Sequence, residues 1–320
     1  MKYRRLGSSG VMVSEVCLGS WLTYGGATEN EIAEACIDRA YEKGVNFFDT
    51  ANVYARGKSE EIVGKSLHKY PRDSYVLATK VFFPMNDGPL PNNRGLSRKH
   101  IMEQCHLSLK RLGVDYIDLY QCHRYDPNVP LEETLRALDD LISQGKALYV
   151  GVSEWSAHQI TDAIKFQEAH NMHRLVSNQP YYNMLGRGIE KEVMPACERE
   201  GVGQICFSPL AQGVLTGKYK PGEPLPSDSR AADPNQNMFM GMREGKMDDA
   251  LLEKVQKLLP IAESIGLSMA QLALAWCLRQ GNVSSVIIGA SRPSQVDDNA
   301  GASGVTLSSE TLKAIEDALK

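Results

Sequence analysis

Four side chains that can hold or exchange a proton follow apolar runs in the first half of the chain. Asp49 ends the run VNFF, and Tyr54 lies in the short polar loop behind it. Lys80 ends YVLATK, and His123 directly follows YIDLYQC. Taken singly, such residues are usually turn, packing or surface residues. Four of them at the ends of three consecutive predicted strands favour chemistry, because packing would place aliphatic side chains there.

The chemistry that these groups could perform together is the protonation of an oxygen that becomes negative. A tyrosine titrates near pH ~10, and a nearby ammonium such as that of Lys80 makes Tyr54 a better proton donor by stabilising phenolate. Burial would tend to deprotonate the lysine, and Asp49 would hold it charged. A neutral His123 would donate a hydrogen bond to a substrate oxygen and orient it toward Tyr54. The group needs neither a metal nor a covalent nucleophile.

The elements that must position these residues alternate along the chain. A hairpin around Gly7–Gly10 precedes a first strand that runs from Val16 to Gly19, and seven further strands follow. These are predicted at 45–49, 75–80, 116–122, 147–153, 175–179, 202–208 and 283–289. The predicted helices cover 29–43, 59–67, 97–112, 131–144, 156–171, 189–200, 248–265, 268–280, 294–301 and 308–318.

Eight such units without a Gly/Ser-rich linker predict one domain over residues 1–320. We expect a closed parallel (β/α)8 TIM barrel with an N-terminal β-hairpin and two extra helices. The alternative, a Rossmann-type sheet, is disfavoured because no G-x-G-x-x-G follows any of the strands.

In a barrel the carboxyl ends of the strands converge on one mouth, where active sites are built. The predicted strand ends carry several further polar or aromatic residues besides the four above. They are Trp21, Ser153, Glu154, Asn178, Gln179, Phe207, Ser208 and the segment Gly289–Arg292.

Composition excludes several classes of function. The chain has 320 residues, 42% of them hydrophobic, a net charge of -4 and a pI near 6.0. Such a balance gives no case for binding nucleic acid or an anionic membrane. The seven cysteines include no C-x-x-C pair, so neither a metal site nor a disulfide framework is expected. Without a signal peptide or an apolar span, we expect a cytoplasmic protein that is not inserted in a membrane.

Several motifs together resemble the aldo-keto reductases. The resemblance is strongest to the branch that contains bacterial stress-type reductases and the β-subunits of voltage-gated potassium channels. The motifs cover nearly the whole chain: LGSSGVMVSEVCLGSW, NFFDTANVYARGKSEEIVG, ATK, RLGVDYIDLYQCH, GVSEWS, SNQPYYN, FSPLAQGVLTGKY and SRPSQVDDN. The resemblance implies a barrel whose bottom is plugged by the hairpin. It also implies a catalytic tetrad of Asp49, Tyr54, Lys80 and His123, with Tyr54 as general acid in reduction and base in oxidation.

The resemblance further implies NADP(H) lying extended across the mouth. Ser153 and Gln179 would hold the nicotinamide carboxamide, and Phe207 would stack on the ring. Ser208, Leu210, Gln212 and Lys218 would meet the pyrophosphate, whereas Arg230, Gly289, Ser291, Arg292, Gln295 and Asn299 would hold the adenosine end. Trp21, Asp49, Glu154 and Pro209 complete the candidate cofactor set.

The residues themselves support the adenosine end of this assignment. Ser291 and Arg292 follow the last strand at the start of a helix, where barrels bind phosphate, and a guanidinium suits the 2'-phosphate of NADP. Two positions depart from the family pattern. Glu154 replaces an asparagine found in many relatives, and Asp228 replaces an aromatic residue of the channel subunits.

Two functions follow from the resemblance. The first is NADPH-dependent reduction of aldehydes and ketones to alcohols, with a small carbonyl compound as substrate. The alternative is an NADP(H)-binding regulatory β-subunit of a channel with incidental reductase activity. His123 favours the enzyme, because the channel subunits carry asparagine there.

The loops at 83–95 and 209–247 are predicted to cover the site. The chain ends soon after its last helix, so an open site with broad carbonyl specificity is expected. Apolar positions on the outer helices are compatible with a homo-oligomer.

Overall fold

The computed structural model describes all residues except 23, 27–29, 89, 235, 238, 239, 241 and 243–246. The strands are β1 (Tyr3–Arg5), β2 (Met12–Ser14), β3 (Val16–Gly19), β4 (Phe47–Asp49), β5 (Val76–Val81), β6 (Ile117–Cys122), β7 (Ala147–Ser153), β8 (Leu175–Gln179), β9 (Gly203–Cys206) and β10 (Val283–Ile288). The α-helices are α1 (Asn30–Glu42), α2 (Lys58–Leu67), α3 (Arg98–Leu112), α4 (Leu131–Ser143), α5 (Ala157–Ala169), α6 (Val193–Glu200), α7 (Asp249–Gln256), α8 (Leu259–Ser264), α9 (Met269–Leu278), α10 (Pro293–Ala300) and α11 (Ser309–Leu319).

Eight of these strands form a closed barrel. Its order is β10-β3-β4-β5-β6-β7-β8-β9, so that the chain runs around the barrel and closes β10 on β3. All neighbouring pairs are parallel, as βαβ connections require. The predicted (β/α)8 barrel is therefore confirmed.

Local signals in the sequence set where several helices begin and end. Ser97 caps α3 by accepting a hydrogen bond from the backbone N–H of His100, and Gly113 ends that helix with a φ of 67°. Serine is favoured as an N-cap, and glycine is favoured as the left-handed residue that ends a helix. Ser156 and Ser268 form capping boxes with the glutamines three residues later, at the start of α5 and of α9.

The N-terminal hairpin closes the amino-terminal end of the barrel. β1 and β2 pair antiparallel, and the fully buried side chains of Leu6 and Val13 pack against Phe47 and other apolar residues inside the barrel. The turn lies so close to the strand ends that a Cβ atom at Gly7 would stand 2.4 Å from the carbonyl oxygen of Gly201. The hairpin therefore leaves the opposite end, where the carboxyl ends of the strands lie, as the open mouth.

Several predicted boundaries were wrong, and three of them show the physical reasons. The helix predicted over 248–265 is two helices, because Pro260 lacks an N–H and its ring clashes with the carbonyl of a preceding helical turn. The helix predicted over 189–200 begins only at Val193, since Glu192 has a non-helical φ of -132°. The seventh barrel strand ends at Cys206, and Phe207 forms only an isolated bridge with Tyr181.

Two other predictions fall partly outside the described residues. The helix predicted from residue 29 is described from Asn30, and the loops 83–95 and 209–247 contain several of the positions not described. Within the described part of the chain, no single helix is long and apolar enough to span a bilayer, while the bent pair Asp249–Ser264 and Met269–Leu278 passes by length and composition.

Candidate active site

Lys80 lies at the centre of the mouth. It belongs to β5, and its side chain is 0% exposed. Its ammonium donates hydrogen bonds to Oδ1 of Asp49 at 2.5 Å and to the carbonyl oxygen of Thr50 at 2.8 Å. Burial lowers the pKa of Lys80, but the Asp49 carboxylate and the neighbouring Tyr54 more than offset it, so that the pKa lies above its usual value. The lysine therefore stays charged although it is fully buried.

Asp49 is held by donors from three strands. It ends β4, and besides Lys80 it accepts hydrogen bonds at Oδ2 from Nε2 of Gln179 at 3.0 Å and from Nε2 of Gln121 at 3.3 Å. Gln121 was not among the predicted residues. The alternation of side chains along a strand could have indicated it, because Gln121 stands two positions before His123 and therefore on the same face of β6. It is also in register with Lys80 of the neighbouring strand. The carboxylate therefore has a fixed orientation.

Tyr54 begins a short 3₁₀ turn between β4 and α2. Its hydroxyl lies 3.5 Å from Nζ of Lys80. The next three residues, Ala55, Arg56 and Gly57, all have positive φ angles, of 47°, 53° and 92°. This left-handed stretch is strained at the two residues that carry a Cβ atom, and it directs the chain from the mouth into α2.

The environment of Tyr54 keeps its phenol protonated at neutral pH. Desolvation by burial raises its pKa, Lys80 lowers it, and Asp49 raises it again. The ammonium thus acts in the direction that the sequence suggested, but burial outweighs it and the pKa lies above the usual value. Tyr54 can donate a proton, and the phenolate that remains would face a charged lysine.

His123 follows β6 and faces Tyr54, with 5.7 Å between the two ring centroids. Its pKa lies well below the usual value because of burial and, to a smaller extent, the positive charges of Lys80 and Arg124. Its Nδ1 atom is buried and has no hydrogen-bond partner among the described residues. The imidazole is therefore neutral at physiological pH and can act as a hydrogen-bond donor to an oxygen.

Aromatic side chains around this group fall into two sets. Tyr24, Phe82 and Trp155 are at most 9% exposed and belong to the packed core. Phe83 is half-buried, and its ring centroid lies 5.1 Å from that of His123. Phe83 therefore forms part of the wall beside the imidazole.

The predicted nicotinamide ligands lie at the tips of β7, β8 and β9. The hydroxyl of Ser153 donates to the backbone oxygen of Gln179 at 2.8 Å, and the Gln179 side chain donates to Asp49 as described above. Glu154, with a φ of 58°, accepts at its carboxylate from the backbone N–H of Tyr181 at 2.6 Å. Phe207 is half-buried against Tyr181, with 5.6 Å between the ring centroids.

The loop after β9 has a backbone suited to an anion. Ser208, Ala211 and Gln212 all have positive φ angles, of 52°, 46° and 57°. Leu210 has φ -93° and ψ 13°, and left-handed residues follow it. Such an alternation of backbone conformations is typical of anion-binding loops. Pro209 is buried beneath this turn. The loop therefore fits the predicted pyrophosphate position.

Asn183 holds this loop in place. It is 0% exposed, and its side-chain N–H donates to the carbonyl oxygen of Ser208 at 3.0 Å, while its side-chain oxygen accepts from the backbone of Leu185 and Gly186. It was not predicted as a functional residue. It lies at the end of the motif SNQPYYN, which was noted only for the resemblance.

Three cations and one acid meet at the distal end of the mouth. Burial, then the nearby Arg230 and Arg292, lower the pKa of Lys218, while Asp228 raises it. Burial also lowers the pKa of Arg230, whose guanidinium carbon lies 6.0 Å from the ring centroid of Trp21. The carboxylate of Asp228 stands 3.9 Å from the guanidinium of Arg292, and both side chains are exposed. A cationic patch with one internal acid results.

The segment between β10 and α10 completes this end. Gly289, Ser291 and Arg292 are exposed. The backbone N–H and the hydroxyl of Ser291 both donate to Oε1 of Gln295, at 2.8 and 3.3 Å. Asn299 lies deeper, at 4% exposure.

The closed parallel barrel and the group of side chains at its mouth agree with a comparison of the sequence with known protein families. The sequence model of the Aldo/keto reductase family matches residues 15–320, and the chain therefore belongs to this family. An Arabidopsis thaliana protein named "Probable voltage-gated potassium channel subunit beta" is 45% identical over 302 residues, covering 93% of this chain and 90% of the relative. A relative of the same name from Oryza sativa subsp. japonica is 43% identical over 321 residues, covering 99% and 96%. The resemblance to this branch, noted from the motifs, is confirmed.

Proposed function

We propose that the protein reduces aldehydes and ketones to alcohols with NADPH, and that Tyr54 is the general acid. The observation that carries the proposal is the ammonium of Lys80, which bridges Asp49 and Tyr54 at 2.5 and 3.5 Å in a fully buried position. Membership of the aldo/keto reductase family supports an oxidoreductase activity. We further propose that the chain is one domain and acts in the cytoplasm, where seven free and buried cysteines would stay reduced.

The four side chains would divide the work of protonation. When bound, the nicotinamide would supply a hydride to the carbonyl carbon. Tyr54 gives its phenolic proton to the carbonyl oxygen, and the ammonium of Lys80 stabilises the phenolate that remains. Asp49 keeps the lysine charged, and the neutral His123 donates a hydrogen bond to the same oxygen and orients it toward Tyr54.

The mouth offers a continuous set of groups for NADPH. Ser153 and Gln179 would hold the carboxamide, with Phe207 against the ring and Trp21, Asp49 and Glu154 beside it. The backbone of Ser208–Gln212, with Lys218, fits the pyrophosphate. The remaining predicted ligands would hold the adenosine end, and their guanidinium groups favour the 2'-phosphate of NADP over NAD. They are Arg230, Gly289, Ser291, Arg292, Gln295 and Asn299.

The test compares two tyrosines of the mouth. Tyr54→Phe should lower kcat/KM for simple aldehydes by at least ~100-fold, the usual contribution of a positioned acid, while NADPH affinity measured by fluorescence titration stays unchanged. Tyr125→Phe is the matched control, because Tyr125 packs on Trp155 outside the tetrad, and it should keep most of the activity. An unchanged rate in Tyr54→Phe, or no turnover of any aldehyde by the wild type, would contradict the proposal.

A second candidate function is that of a regulatory β-subunit of a channel, which the names of the two plant relatives favour. Co-expression with a voltage-gated potassium channel and pull-down of the complex would test it. His123→Asn separates the two functions, because it should reduce carbonyl turnover and leave a channel complex intact. Failure to recover any complex would count against this candidate.

A further inference from the structure

Arg124 follows the catalytic histidine directly and remains outside the tetrad. One guanidinium N–H donates to the backbone oxygen of its neighbour His123 at 2.6 Å. Its guanidinium carbon lies 5.7 Å from the ring centroid of Phe83, and the same ring lies 5.1 Å from the centre of the imidazole. The side chain therefore folds back toward the mouth and shares one aromatic wall with His123.

The charge of Arg124 is not balanced by a protein acid. A guanidinium has five N–H donors, and no carboxylate oxygen within the described part of the chain lies within 4.0 Å of this one. The acids of the adjoining segments are engaged elsewhere: Asp126 accepts from the backbone of Leu96 and Asn128, and Asp87 pairs with Arg56. Arg124 is thus a half-buried cation with donors to spare.

Its field reaches the reaction centre. Arg124 is among the groups that lower the pKa of both Tyr54 and His123. Because the guanidinium and the imidazole both lie beside the ring of Phe83, the charge stands within the length of a small molecule from the oxygen that His123 would hold. The wall between the two points is the ring of Phe83, an apolar surface for the body of a substrate.

We propose that Arg124 binds an anionic group of the substrate, so that the preferred carbonyl compounds carry a carboxylate or phosphate separated from the carbonyl by a short chain or one ring. The inference rests on the proposed reductase function and names a substrate class for it. The planar fork of a guanidinium matches both anions in a two-point contact. This preference for anionic substrates replaces the broad carbonyl specificity that was expected from an open site.

The test uses a pair of aldehydes that differ in charge. 4-Carboxybenzaldehyde and its methyl ester have the same ring and the same para position. The ester withdraws electrons more strongly than the carboxylate does, so electronic activation of the carbonyl by itself favours the ester and works against the expected result. The wild type should show a kcat/KM for the acid at least ~10-fold above that for the ester, because hydrogen bonds to charged groups are the strong ones. Added NaCl should reduce this ratio through screening. A ratio of one or less would overturn the inference.

Variants assign the preference to this side chain. Arg124→Met should remove the preference for the acid and change the ester far less; the ester also corrects for any shift in the pKa of Tyr54. Arg124→Lys should keep part of the preference, since it retains the charge but loses the fork. Arg199→Met is the matched control, because this arginine pairs with Glu200 at the far end of the barrel, and it should behave as the wild type. A preference that persists in Arg124→Met would also overturn the inference.

A second pair distinguishes the two anions. 4-Formylphenyl phosphate compared with 4-methoxybenzaldehyde gives the preference for phosphate, and the larger of the two ratios identifies the class. Failure of the inference is separate from failure of the proposed function. If the neutral aldehydes are reduced without any preference for anions, only the role of Arg124 fails. If no aldehyde of either charge is reduced, the reductase function itself fails.

Discussion

A fully buried lysine is the residue on which the site depends. Removing an ammonium from water costs several kcal/mol unless an opposite charge and hydrogen bonds compensate. Lys80 has both, in the Asp49 carboxylate and the Thr50 carbonyl oxygen. Such a pair contributes little net stability, but breaking it leaves a buried charge alone.

Asp49→Asn should therefore destabilise the protein strongly. We expect a loss of ~3–5 kcal/mol in the free energy of unfolding, measured by urea denaturation at neutral pH, because the ammonium of Lys80 would lack its carboxylate. Glu42→Gln is the control, since Glu42 forms an exposed pair with Arg39 and should cost less than ~1 kcal/mol. Equal losses in the two variants would argue against this account.

The pH dependence of reduction should be flat around neutrality. The acid Tyr54 must be protonated, and its pKa lies above the usual ~10; the donor His123 must be neutral, and its pKa lies well below the usual ~6.5. Acidification through pH ~6.5 therefore does not protonate the histidine, and alkalinisation to pH ~9 does not ionise the tyrosine. Initial rates of aldehyde reduction over this range test the expectation. A fall in rate with a midpoint near pH ~6.5 would contradict it.

Asp228→Asn should tighten the binding of NADPH. The carboxylate stands 3.9 Å from Arg292 in the region proposed for the 2'-phosphate, so it competes with that phosphate for the guanidinium. Because both side chains are exposed, the gain should be modest, about 2- to 5-fold in Kd by fluorescence titration. Asp228→Glu, which keeps the charge, is the control, and weaker binding by Asp228→Asn would contradict the idea.

The sequence predicts the tetrad because three of its members end or directly follow an apolar run. The fourth, Tyr54, lies in the loop after the first of these runs. Gln121 and Asn183 could not be found in this way. Gln121 lies inside a strand, where the two-residue period places it on the same face as His123, but its role becomes evident only with its partner Asp49 across the barrel. Arg124 carries no signal in the sequence, because its position relative to the site depends on its side chain folding over Phe83.

At the scale of elements, α2 and α3 approach each other through a glycine. A Cβ atom at Gly64 of α2 would stand 2.2 Å from the carbonyl oxygen of Leu112 and 2.6 Å from its carbonyl carbon. These are backbone atoms at the end of α3 and cannot rotate away. The contact matters for the site, because α2 directly follows the strained turn that carries Tyr54.

Gly64→Ala should therefore destabilise the fold by ~1–3 kcal/mol, the usual cost of forcing an extra methyl group into a packed contact. The free energy of unfolding from urea titration measures this, and kcat should fall as α2 shifts. Gly188→Ala is the matched control, because nothing lies within 4 Å of a Cβ atom there. A neutral or stabilising Gly64→Ala would show that the two helices can separate at little cost.

Element boundaries were predictable where the signal is local. The serine and glycine that bound α3 act within one turn of the helix, and the predicted range 97–112 agrees with α3 to within one residue. The break between α7 and α8 also has a local cause in Pro260, although the apolar pattern continues across it. The end of β9 at Cys206 had no such signal, because strand length depends on the partner across the ladder.

The whole molecule has two ends with different roles. The amino-terminal end of the barrel is filled by apolar side chains and closed by the hairpin, while the mouth holds the buried ion pair. Closure of β10 on β3 joins the first and last strands of the barrel. Neither half of the chain can complete the barrel without the other.

We therefore predict a single cooperative unfolding transition. Far-ultraviolet circular dichroism and tryptophan fluorescence should give the same Tm, because the tryptophans at 21, 155 and 276 report on different parts of the barrel. Saturating NADPH should raise that Tm without splitting the transition. Two separate transitions would mean that the chain contains independently folding parts.

The distribution of charge around the mouth has a consequence for how ligands arrive. The protein as a whole carries a formal charge of -4, yet Arg124, Lys218, Arg230 and Arg292 all lie along the mouth. The buried Lys80–Asp49 pair adds no net charge there. The net charge of the molecule weakly repels an approaching anion, whereas these four cations attract it once it is near the mouth, so the local field favours collisions at the face that holds the site.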